Sequence, residues 1–96
     1  MLLLAIAAAL VLTPPETVDV RCVAMIGIAA RTDTTLRTPG AEFAARVGAA
    51  IIDRTQASRE AVGNAMLQAG MRAASAPVDE AERERCTARM AEVLIG

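Results

Sequence analysis

Thr13-Pro14-Pro15-Glu16-Thr17-Val18-Asp19-Val20-Arg21-Cys22-Val23-Ala24-Met25-Ile26 is the stretch on which the fold turns. Thr13 offers a capping oxygen, proline is tolerated in a first helical turn, and Glu16 completes a capping box. The helix that starts here is expected to run to about Ala30 or Arg31. Val18, Cys22, Met25, Ile26 and Ala29 recur at helical spacing and form one apolar stripe. Val20, Val23, Ala24 and Ile28 widen that stripe almost all round. A helix apolar on nearly every side must be covered on nearly every side, so this one is expected at the centre of the fold.

Downstream, the polar run Thr32 to Gly40 reads as a loop, with Thr38 as the next cap and Pro39 in the first turn. In the helix that follows, Phe43, Val47, Ala50 and Ile51 share a face, with Glu42, Arg46, Asp53 and Arg54 toward water. Asp53 to Ser58 is rich in capping residues, so residues 41–74 form either two helices or one kinked helix. Val62, Ala65, Met66, Ala69 and Ala73 repeat the apolar spacing beyond it. Pro77 ends that region, because proline cannot continue a helix interior. Asp79 then caps a last helix with Glu82 in capping-box register, and Cys86, Met90, Val93 and Leu94 form its apolar stripe. The expected fold is all-α, a compact bundle of three to four helices in a single domain over residues 14–96.

Composition narrows the chemistry. The chain has 96 residues, 10 basic and 11 acidic side chains, and a net charge of −1; every basic residue is Arg. Neither sign dominates, so no electrostatic footprint for nucleic acid is present. Phe43 is the one aromatic residue, which removes the stacking platform of single-strand binders. Without His, Lys or Tyr, the Ser-His-Asp, Cys-His and Ser-Lys arrangements are excluded within this chain. Zinc sites built on histidine are excluded as well, and two cysteines alone cannot complete a structural zinc shell. The acidic cluster Asp79, Glu80, Glu82 and Glu84 lacks the alternating ligands and glycine of an EF-hand loop and reads as a capped, solvated helix start. Neither a catalytic residue, a cofactor nor a metal is therefore assigned. The remaining carboxylates are expected at helix starts and outward faces, with little shift in their ionisation. Met25, Met66, Met71 and Met90 are expected to fill the core.

Residues 1–13 form an apolar leader. Met1 to Leu12 is too short to cross a bilayer core but matches the apolar stretch of a secretory signal peptide. No basic residue precedes it. No clean small-x-small cleavage site follows it either: Ala7-Ala8-Ala9 fits but would cut the apolar run short, and Val11-Leu12-Thr13 fits poorly. The other readings are a buried N-terminal helix and an uncleaved anchor that brings residues 1–12 to the inner membrane.

Cys22 and Cys86 each lie in the apolar stripe of a helix near the two ends of the domain. A disulfide between them would enclose most of the chain and contribute about 4 kcal/mol in the chain-entropy model. That disulfide, linking the first and last helices, is the expected state, and two buried free thiols are the alternative. A redox-active pair is disfavoured by the absence of Cys-x-x-Cys spacing.

The apolar leader, Asp19-Val20-Arg21-Cys22-Val23 and Glu82-Arg83-Glu84-Arg85-Cys86 together resemble a loose group of small exported two-cysteine helical proteins of Gram-negative bacteria. That resemblance implies a helical fold, an envelope location and a disulfide, but no activity. The resulting expectation is a non-catalytic periplasmic or secreted protein that binds another protein or a small hydrophobic ligand between its helices. The alternative is a small inner-membrane-associated protein held by its uncleaved N-terminal helix.

Overall fold

The computed structural model describes residues 10–77 and 79–96, so most of the leader lies outside the described residues. Four helices follow one another: α1 (Pro14–Ala29), α2 (Arg37–Thr55), α3 (Arg59–Ala74) and α4 (Glu80–Ile95), with a 3-10 turn at Thr34–Leu36. The fold is an all-α bundle whose first and last helices are joined by the Cys22–Cys86 disulfide, with Cα atoms 5.0 Å apart.

The opening of α1 follows its residue types. The Thr13 side chain accepts from the Glu16 amide, and the Glu16 carboxylate accepts from the Thr13 amide at 2.9 Å. Residues 41–74 resolve into two helices. α2 stops at Thr55, Gln56 takes a left-handed conformation (φ 58°), and Ser58 caps α3 by accepting from the Ala61 amide. Asp79 caps α4 through the amides of Ala81 and Glu82.

The helices alternate in direction. Glu16 of α1 meets Arg54 of α2, and Ile26 lies against Gly40, so these two run antiparallel. The short α2–α3 connection makes another antiparallel neighbour. Asp19 pairs with Arg89 and Arg21 with Glu82, which sets α4 antiparallel to α1. α1 touches all three other helices, whereas α3 and α4 do not touch each other among the described residues. The bundle is thus a rhombus, with α1 and α2 on its short diagonal. The core is built from Val20, Cys22, Ile26, Phe43, Val47, Ile51, Val62, Cys86 and Met90. No described side chain in it is polar or charged.

Five local expectations are corrected. Val18 is 59% exposed, because it stands beside Pro15 where the groove between α1 and α4 opens. The loop is shorter than Thr32–Gly40. Asp33 accepts from the Thr35 amide and hydroxyl, a 3-10 turn forms, and α2 starts at Arg37 with Leu36 rather than Thr38 at its N-cap. Pro39 fits inside the first turn of α2, where an amide hydrogen would have no helical partner anyway. Ala50 is exposed and Gly48 takes its inward place. The α4 capping box is only half formed, because the Glu82 carboxylate is drawn to Arg21. Met71 is 67% exposed, since it lies on the side of α3 opposite Ala69 and Ala73.

Candidate functional site

A pocket of about 340 Å³ opens between the C-terminal ends of α1 and α3 on one side and the first turns of α4 on the other. Three sequence features create it. α1 and α3 run side by side in the same direction, so Met25, Ile28 and Ala29 face Ala73 and Ala74. Alanine at the last turn of α3 leaves space that a larger residue would fill. Pro77 then turns the chain toward α4, which carries Arg83 to the pocket wall. Arg21 and Arg31 complete the rim.

The volume lies near the lower end of the range of about 300–1,000 Å³ typical of small-ligand sites. Apolar walls with a few polar groups at one edge are also the usual composition of such sites. The sequence points to a site between helices but does not reveal this one. Its walls come from residues far apart in the chain, and the parallel placement of α1 and α3 is a tertiary fact. Met25 was legible only as a core residue.

A second concavity runs along α1 and α4 over the disulfide. Cys22 and Cys86 are 4% and 1% exposed, and the sulfurs lie beneath two ion pairs, Arg21–Glu82 and Arg89–Asp19. The Arg89 guanidinium grips both Asp19 oxygens, at 2.8 and 3.1 Å. This groove is bridged by one covalent and two ionic links between α1 and α4.

The acidic residues are less passive than their positions suggest. The Arg54 guanidinium bonds both Glu16 oxygens and holds that carboxyl well below its ordinary range, at about 2, with the Thr13 amide adding to the effect. Arg21 lowers Glu82 in the same way, and the Thr35 hydroxyl and amide lower Asp33. Little shift was expected for these groups. For Glu16 and Glu82 the correction comes from partners that only the helix packing supplies, because Arg54 and Arg21 lie far from them in sequence, whereas Asp33 is lowered by its near neighbour Thr35. All three shifts are downward, away from the neutral range in which a general acid or base is most effective. Within the acidic run, Asp79 is spent on its cap and Glu82 on Arg21. Among the described residues no group of three or more potential ligands is gathered for a metal, and no helix is long and apolar enough to cross a membrane.

The chain matches no protein-family model, no curated protein and no solved structure.

Proposed function

We propose that this chain is a non-catalytic binding protein of an oxidising compartment outside the cytoplasm, and that it holds a small apolar ligand in the pocket between α1, α3 and α4. One observation carries the reading: a pocket of about 340 Å³ walled by Met25, Ile28, Ala29, Ala73 and Ala74, with Arg21, Arg31 and Arg83 at its edge. The compartment is supported by the disulfide, which persists in the periplasm or outside the cell and is rare where thiols are kept reduced. Leu10 and Leu12 pack against the core, and the Val11 carbonyl accepts from Arg54 at 3.0 Å. Leader removal after Ala9 would keep all three contacts.

The ligand is tested with decanol, a neutral single chain. No Trp or Tyr reports on the pocket, so methyl NMR of Met25 is the readout. Saturable shifts at Met25 and Ala73 in the submillimolar range are expected. Ala29→Leu, which adds bulk to the pocket wall, should abolish them without loss of helical circular dichroism. No saturable shift up to the solubility of decanol refutes the ligand. Cell fractionation with intact-mass measurement tests the compartment. A soluble periplasmic chain starting at Leu10 is expected, whereas a full-length chain in the inner-membrane fraction would favour the anchored alternative.

A further inference from the structure

The rim of the same pocket is charged on one sign only. Arg21, Arg31 and Arg83 line it, and no carboxylate does so among the described residues. The three guanidiniums are not equivalent. Arg21 is occupied by Glu82. Arg31 and Arg83 enter no ion pair among the described residues, although Asp33 is near enough for the Arg83 charge to favour its ionised form. Two donor-rich cations therefore stand at the mouth of an apolar pocket with hydrogen-bonding capacity to spare.

Resting on the binding reading above, we propose that the pocket takes a single-chain anionic amphiphile. The alkyl chain lies against Met25, Ile28 and Ala73, and the head group, a carboxylate in its simplest form, sits at Arg31 and Arg83. The physical reasons are separate and add. An alkyl chain gains by leaving water, and an anionic head accepts the forked hydrogen bonds that guanidinium offers in fixed geometry. Arginine is suited to the rim because its stem covers apolar wall while its head remains hydrated. About 340 Å³ is enough for one short chain. The occupant is the free amphiphile in solution rather than a bilayer surface.

Calorimetric titration of the full chain, below the micelle threshold of each ligand, separates these terms. Decanoate should bind at least about tenfold tighter than decanol, the difference expected of charge-assisted hydrogen bonds. Decyltrimethylammonium should bind more weakly than either. Each methylene added between octanoate and decanoate should tighten binding about fourfold. Arg31→Gln combined with Arg83→Gln should remove the preference for decanoate over decanol. Arg85→Gln, outside the pocket lining, controls for net charge and should leave decanoate affinity unchanged. Equal affinity for decanol and decanoate overturns the anionic head and leaves the apolar pocket standing. Failure of both ligands overturns the pocket itself. Binding to phosphatidylglycerol vesicles without binding to decanoate moves the charge to a membrane surface and also overturns the proposal.

Discussion

At the scale of single residues, the helix contacts turn on where a Cβ atom can stand. A Cβ built at Gly40 would come within 3.0 Å of the Ile26 Cγ2 atom, and Ile26 is only 1% exposed. The isoleucine is held by the core around it and cannot retreat cheaply. Gly63, also within a helix, has nothing within 4 Å of the same position. The two sites therefore separate backbone entropy from packing. Gly63→Ala should stabilise the protein by roughly 0.5–1 kcal/mol, because alanine is the better helix former and fewer unfolded conformations compete. Gly40→Ala receives the same backbone gain but forces α1 and α2 apart, where overpacking typically costs about 1–3 kcal/mol. It should be neutral to destabilising, and always worse than Gly63→Ala. Urea denaturation of the two variants checks this, and a Gly40→Ala protein as stable as Gly63→Ala would mean that the α1–α2 contact is loose.

Between elements, the ion pair of Glu16 and Arg54 joins the start of α1 to the last turn of α2. Glu16 titrates at about 2 in the folded chain, against an ordinary 4.5. A depressed carboxylate contributes stability that is fully present above its unfolded value and is lost as pH falls through the folded one. The protein should therefore weaken in acid between about 4.5 and about 2. Glu82 and Asp33 are lowered as well and act in the same direction. Melting temperatures across that window should fall, and Glu16→Gln should flatten the decline while lowering stability near neutrality. An unchanged profile in the variant would show that the pair does not couple the two helices. These links also mark the limit of what the residues alone make legible. Caps at Thr13 and Asp79 and the stripe through Phe43, Val47 and Ile51 are local patterns, so those element positions can be read directly, whereas the capping-rich run ending at Ser58 fits a kink as well as a break. Asp33 diverted the start of α2, and Arg21 took Glu82 from its capping role, because each involves a competitor that a local pattern does not rank. The pocket was hidden for the stronger reason that it belongs to no element and exists only between the ends of three helices.

For the whole molecule, the rhombic packing decides what the disulfide does. α4 has no contact with α3 among the described residues and rests on α1 and α2. Its own links are the Cys22–Cys86 bond, two ion pairs to α1, and Arg46, which donates to the Val93 carbonyl at 2.9 Å near the end of α4. With the cysteines 64 residues apart, the bond removes about 4 kcal/mol of loop-closure freedom from the unfolded chain. Net stabilities of small domains are only about 5–15 kcal/mol, so this is a large share. Replacing both residues, Cys22→Ala with Cys86→Ala, avoids leaving a lone buried thiol and should lower the melting temperature by on the order of 20 °C, given 4–8 °C per kcal/mol for a domain of this size. The loss should not be uniform. Hydrogen exchange in the double variant should show the amides of α4 losing protection before those of α2, which is packed on all three partners. Because Arg83 reaches the pocket from α4, decanoate affinity should fall in the same variant. Melting and exchange that match the parent protein would show that the bundle holds α4 without the bond, which would leave the cysteines no structural role.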